Sequence, residues 1–442
     1  MARRLLDGDE GGHMQRALKA FPDQAVVERI LRRYNPEAPR KEGEAYKSVP
    51  MPDARGHRMS VELTMVGAFA EVWLAKELAS QGSNRPGPVL MNLLTELRIL
   101  TLPALYGAML AGVDYIVMGA GVPRSIPGVI RNLANGNRAT ISLDAARQEG
   151  SRNSYELGFD PAGYPKIEKI KNTPVFLAIV ASNILATVLE RIEQPELPPN
   201  GFIIEGPTAG GHNAPPRNKR VYNDRGEPVY GDRDVVDLAK IAELGLPFWL
   251  AGGYGSPERL REAKDDGANG IQAGSIFALC RDSGMAPHLR DELIGKALQE
   301  GVDVYTDRRA SPTGYPFKVA AVESTTSNPA VYEQRERVCD IGHLRTPYER
   351  TTPDGNVEIG YRCPSEPVKD YVEKGGKKED TEGRKCLCNG LLGTIGFGQI
   401  HNGVQEPAIV TIGDDKEGVI KRIATKYGPD WSATDGVEFL RG

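Results

Sequence analysis

Long hydrophobic runs are missing from this sequence. The longest apolar stretch, Val175 to Leu189, is interrupted by Ser182 and Asn183 and is too short to span a bilayer, so no membrane helix is expected. An excess of basic charge is missing too. Lys and Arg number 55 against 59 Asp and Glu, the formal net charge is -4, and no basic stretch stands out, which argues against a nucleic-acid partner. Cysteine is scarce: five in 442 residues do not make a disulfide framework. An apolar leader is not seen either, because Met1-Ala2-Arg3-Arg4 runs into Asp and Glu. A cytoplasmic location is expected. What remains, 40% hydrophobic and 26% charged residues, fits a globular chain long enough for two or three average domains or one barrel with insertions.

Residues 1–57 are charged and broken by prolines, with helical spacing in Val26 to Tyr34, and read as an N-terminal helical segment. Strand-like and helix-like runs then alternate. Met59 to Phe69 is apolar and reads as a strand entering a helix from Ala70 to Ser80. Further strands are expected at Pro88 to Leu94, Val113 to Met118, Val175 to Val180, Phe202 to Ile204, Pro247 to Ala251 and Gly270 to Ala273, with helices between them. Seven such units argue for parallel strands with crossover helices. The expected fold is α/β, a TIM (β/α)8-type barrel over residues 58–330 that lacks or disguises its first strand. Insertions are expected at 136–171 and 213–233, the second holding Arg217, Lys219 and Arg220 and a hairpin turn at Val221 to Gly226. Ala310 to Phe317 is a turn-rich loop, and residues 331–442 form a cysteine-containing C-terminal extension.

The chemistry is expected at strand ends. Phe202-Ile203-Ile204 leads into Glu205-Gly206-Pro207-Thr208-Ala209-Gly210-Gly211-His212. Adjacent glycines let a backbone pass close to a flat or anionic ligand, and the histidine after them titrates near neutral pH. Phe248 to Gly253 and Gly270 to Ser275 repeat the pattern of a strand ending in small residues. Three such ends on one rim suggest a phosphate-bearing cofactor. Gly119-Ala120-Gly121 lacks the third glycine of a dinucleotide fingerprint.

The stretch from Asn92 to Ser275 resembles the nitronate monooxygenase (2-nitropropane dioxygenase-like) family, whose members are FMN enzymes on a TIM barrel. Its carriers are Ala-Gly-Gly-His at 209–212, Ala-Gly-Gly at 251–253 and Gln-Ala-Gly-Ser at 272–275. The main departure is the lacking or disguised first strand, which in the family supplies a wall of the flavin site, and two others stand out. Ser275 replaces the family's usual Thr and keeps the hydroxyl. Glu205 replaces the usual Gln, and a carboxyl group donates a hydrogen bond only when protonated. The resemblance implies an FMN site built from Asn92, Glu205, Gly210, Gly211, Gly252, Gly253, Gln272, Ala273, Gly274 and Ser275, with His212 as the active-site histidine. It implies oxidative denitrification of alkyl nitronates with O2, giving a carbonyl compound and nitrite. The FMN- and NAD(P)H-dependent enoyl-thioester reductases share fold and motifs and are the first alternative. A non-catalytic barrel or partner subunit is the second. A homodimer is compatible with the sequence. The tail's Cys339, Cys363, Cys386 and Cys388 lack the paired spacing of a zinc site and read as buried thiols, with no metal expected.

Overall fold

Apolar, β-branched runs ending in glycine form the centre of the molecule. The computed structural model describes residues 1–80, 87–164, 166–167, 170–193, 196–217 and 221–442. Lys219 and Arg220 of the basic trio lie outside the described residues. Six strands, Leu90–Leu94, Tyr115–Gly119, Val175–Val180, Gly201–Glu205, Phe248–Ala251 and Gly270–Gln272, pair in that order. Every pair is parallel. Sequential order without reversal is the winding of a barrel, whereas an open doubly wound sheet reverses at a switch point. Among the described residues the sheet has six strands and curls into a half-barrel.

Side-chain alternation along the strands separates two packed layers. Val117, Leu177, Ile203 and Ala251 pack with Tyr115, Val175, Ile179 and Trp249 on one face. Ile116, Met118, Phe176, Ala178, Phe202, Ile204, Phe248 and Leu250 join the main core on the other.

Met59 to Phe69 is not a strand. Arg58–Ser80 is one helix of 23 residues. The stretch is rich in Ala, Leu, Met and Glu, all strong helix formers, and is too long for a typical strand. It misleads because it is apolar nearly all round. Met65, Val66, Phe69, Ala70 and Val72 are all buried. The helix crosses Thr101–Leu110 so closely that a Cβ on Gly107 would stand 1.9 Å from the Met65 carbonyl oxygen. At its start, the fully buried Glu62 carboxylate receives Arg29 at 2.7 Å and Arg58 at 2.8 Å. The helices His13–Ala20 and Gln24–Tyr34 pack on the same long helix. Among the described residues, no helix is long and apolar enough to cross a membrane.

The irregular section after Asn137 contains an antiparallel hairpin, Ala139–Ser142 with Glu156–Phe159. Beyond the sheet, the helices Pro287–Gln299, Val419–Tyr427 and Ala433–Arg441 enclose a second core with Ile276, Val410 and Trp431. Trp431 is fully buried, and its indole N–H donates to the Ile276 carbonyl at 2.8 Å. This core draws on residues from both sides of position 331. All five cysteines are free. Cys339, Cys363, Cys386 and Cys388 gather around one cavity of ≈ 10 Å³, and Cys280 is buried in the second core.

Candidate functional site

Parallel strands bring their C-terminal ends to one rim, and the glycine turns follow there. Glu205 lies opposite Ala251, and Ala251 opposite Gln272. Glu205 and Gln272 therefore share a row and a face, roughly 10 Å apart across two strand spacings. Around them lies a cavity of ≈ 550 Å³ lined by Glu205, Gly210, Gly211, Gly252, Gly253, Gln272, Ala273, Gly274 and Ser275. That is every expected cofactor residue except Asn92. The volume falls within the roughly 300–1,000 Å³ that holds a cofactor-sized ligand.

Asn92 is not brought there. It sits on the edge strand, opposite Val117, and is exposed. Through Val117 and Leu177 its row reaches Gly201, four residues before Glu205, roughly 13 Å back along the strand. It lines neither of the two large cavities at the rim.

The glycines serve different purposes. Gly252 and Gly253 have φ of 84° and 78°, a left-handed conformation that disfavours any other residue. A Cβ on Gly274 would meet open space. The N–H groups of Gly253, Gly274 and Ser275 have no partner among the described residues. Gly210 is different. Its bare face is filled by the chain itself, because a Cβ there would stand 2.8 Å from the carbonyl carbon of Ile412 and 2.9 Å from the Gly413 nitrogen.

Residues 411–417 of the tail thus form part of the cavity wall, which the sequence reading missed. Gly211 N–H donates to Thr411 Oγ1 at 2.7 Å, Gly413 N–H to Ser275 Oγ at 2.9 Å, and Asp414 N–H to the Thr208 carbonyl at 2.9 Å. The negative charge this strap brings is largely answered. Lys318 Nζ lies 2.9 Å from Asp414 Oδ1, Arg259 lies 2.6 Å from Glu417, and Asp415 accepts from the N–H groups of Val419 and Ile420. The available signal was the apolar run Ala408 to Ile412 ending in Gly413, which repeats the pattern of a strand followed by glycine.

His212 lines a second, smaller cavity of ≈ 220 Å³, and Glu205 lines both cavities. Its wall is apolar at Val122, Ile179, Leu185 and Pro207, and Arg217 stands exposed at its edge. Gly119-Ala120-Gly121 belongs to this region, but its two glycines answer packing. Their bare faces meet Ile179 and Thr95. Ala120, with φ of 52°, holds a strained left-handed conformation at the cavity edge.

Burial sets the charge of both key side chains. It raises the Glu205 carboxyl from 4.5 to about 8, so the group is mostly protonated at neutral pH and can donate a hydrogen bond. This supplies the donor that glutamine would have given. Burial lowers the His212 imidazole from 6.5 to about 4, so it is neutral. Its Nε2 lies 2.7 Å from Ser311 Oγ, and the Phe317 ring meets it edge-on at 4.9 Å.

No protein-family model and no curated protein matches the chain. It is similar to a number of solved structures, three of which illustrate the likeness. One is a FabK variant from Thermotoga maritima, at 16% identity and a TM-score of 0.36 over 62% of this chain and 71% of that one. Another is the enoyl reductase domain of MlnA from the macrolactin biosynthesis cluster of Bacillus amyloliquefaciens, at 12% identity and a TM-score of 0.46 over 84% of each chain. The third is nitroalkane oxidase from Streptomyces ansochromogenes, at 18% identity and a TM-score of 0.32 over 67% of this chain and 66% of that one. At such TM-scores the likeness is loose, and the site's chemistry has to be read from its own geometry.

Proposed function

We propose that this chain is an FMN-dependent oxidoreductase of the nitronate monooxygenase type, acting on small alkyl nitronates with O2. The observation that carries the reading is the position of Glu205. A cofactor-sized cavity and a substrate-sized one share Glu205 as a lining residue, and burial keeps its carboxyl group protonated.

The residues present fit FMN. Unpartnered N–H groups at Gly253, Gly274 and Ser275 offer donors to a phosphate. The Ser275 hydroxyl accepts from Gly413 N–H and keeps its own proton to donate. Gln272 and the protonated Glu205 offer donors to the polar edge of the ring. When bound, FMN would supply the electron-transfer chemistry of nitronate oxidation.

The chain's own residues do the rest. The apolar wall of the smaller cavity takes the alkyl group and excludes water. Neutral His212 and protonated Glu205 face an anion without the desolvation cost of a buried charge. The exposed guanidinium of Arg217 at the mouth attracts a negative substrate. A cavity of ≈ 220 Å³ favours a short chain over the long arm of a carrier-bound thioester.

Two measurements test the reading. The purified protein should retain FMN and absorb in the flavin bands. Anaerobic mixing with an alkyl nitronate should bleach those bands, whereas bleaching by NAD(P)H alone would assign the site to an enoyl-thioester reductase.

A further inference from the structure

The four tail cysteines line neither rim cavity, yet three separate segments bring them together. Cys339 comes after the helix Pro329–Gln334, Cys363 directly follows the strand Val357–Arg362, and Cys386 and Cys388 open the helix Leu387–Thr394. Side chains tie these segments to one another. Arg337 donates to the Pro364 carbonyl at 3.3 Å and to the Thr381 carbonyl at 2.8 Å. Ser365 Oγ donates to the Lys385 carbonyl at 2.8 Å, and Asn389 Nδ2 to Asp340 Oδ1 at 2.5 Å. All four thiols are free and line one cavity of ≈ 10 Å³, room for about one water-sized molecule.

Four thiols around one cavity suggest a metal ion first. Among the described residues, however, no group of three or more His, Cys, Asp or Glu is arranged to hold one. The thiols pair instead. Cys339 is hydrogen-bonded to Cys363, and Cys386 to Cys388. The second pair spans a single residue at a helix start, where side chains two apart diverge, which disfavours a bond between them. The first pair joins two distant segments and meets no such limit. Its members are unequal. The hydrogen bond from Cys339 holds Cys363 below the ordinary thiol value, against burial and with help from the Ser365 N–H. The same bond, together with burial, raises Cys339. Cys363 is the readier thiolate, and Cys339 is the thiol beside it. Arg345, which lines the cavity, adds positive charge next to Cys339.

We propose that Cys339 and Cys363 are an oxidation site for a small peroxide, which converts the two thiols to a disulfide. The Cys363 thiolate attacks one oxygen of hydrogen peroxide. The O–O bond breaks, the sulfur becomes a sulfenic acid, and the departing hydroxide takes up the proton that Cys363 gave up. The Cys339 sulfur then attacks the Cys363 sulfur. The S–S bond forms, the S–O bond breaks, and the proton of Cys339 leaves with the hydroxide as a second water. The thiols lose two electrons and the peroxide gains them. A cavity of this size suits a peroxide and excludes a bulky disulfide such as oxidised glutathione. The site backs onto the loop that holds His212. Pro312 lines the same cavity, Lys385 N–H donates to the Ala310 carbonyl at 2.9 Å, and Arg384 donates to the Ser311 carbonyl. This chemistry needs no bound flavin.

The test uses the reduced full-length protein, treated with hydrogen peroxide, then unfolded and alkylated. All five cysteines should be alkylated in the untreated protein and three after peroxide. Peptide mapping should show the Cys339 and Cys363 peptides joined. Oxidised glutathione at the same concentration should leave both thiols reduced. Cys339→Ser should prevent the disulfide and leave a sulfenic acid on Cys363 that dimedone labels, whereas Cys363→Ser should leave Cys339 unlabelled. No loss of thiols under peroxide, a disulfide through Cys386 or Cys388, a dimedone label on Cys339, or oxidation by glutathione would each overturn the proposal. So would a metal ion, found by elemental analysis, that shields the four thiols. The wild-type peptide map decides the pairing even if the variants fail to fold.

Discussion

Replacing Glu205 by glutamine should make the protein more stable at alkaline pH. Burial moves this carboxyl from 4.5 to about 8. Between those values the native protein keeps a proton that the unfolded chain has released. Fewer protons on the unfolded state means that stability falls as pH rises through this window, and levels off above it. At roughly 1.4 kcal/mol per unit, the full shift corresponds to about 5 kcal/mol. Water within the cavities screens part of it, and about 2–3 kcal/mol should be realised. Glutamine cannot ionise, so the variant loses this slope. Denaturant unfolding at a series of pH values, from about pH 4 to about pH 9, reads the difference. The two proteins should nearly coincide at the acid end, and the variant should gain about 2–3 kcal/mol over the wild type at the alkaline end. Parallel curves across the range would refute the buried, protonated Glu205.

Other perturbations separate the roles of the remaining residues. His212→Asn should retain FMN and lose roughly 10²–10⁴-fold in nitronate turnover, measured by nitrite release; unchanged turnover would remove the histidine from the chemistry. Because burial places His212 at about 4 and Glu205 at about 8, turnover should lose its acid limb near the first value and its alkaline limb near the second. A pH–rate profile with a limb near 6.5 would show an imidazole in an ordinary aqueous environment. Gly253→Val forces a β-branched side chain to φ of 78° beside the N–H groups proposed to hold the phosphate. The protein should purify without FMN, and normal flavin absorbance would count against those donors. Gly210→Ala should act through the tail instead. Its methyl group meets the Ile412–Gly413 backbone, so unfolding should come at lower denaturant, with a loss of about 1–3 kcal/mol. Limited proteolysis should then cut near residues 408–417, and wild-type resistance there would show that the strap is undisturbed.

The strands and their glycine ends were legible because the runs Val175 to Val180, Phe202 to Ile204 and Pro247 to Ala251 are short, apolar and punctuated. Local sequence carries that information. The helix Arg58–Ser80 was misread because burial on nearly all sides erases the periodicity that marks a helix. Asn92 was expected at the cofactor by resemblance, but pairing register leaves it four residues short of the rim. The tail's part in the cavity and the Ser311 contact were not legible. Gly211 and Thr411 are 200 residues apart in sequence, and His212 and Ser311 are 99 apart. No local pattern encodes such pairs. Glu205 shows the reverse case, where a departure from a family motif becomes chemically sensible once its burial is known.

The account stands most directly on anaerobic mixing of the FMN-loaded protein with an alkyl nitronate while the visible spectrum is followed. Bleaching of the flavin bands by the nitronate, with none from NAD(P)H, is the predicted result. Bleaching by NAD(P)H alone, or a protein that holds no FMN at all, would contradict it.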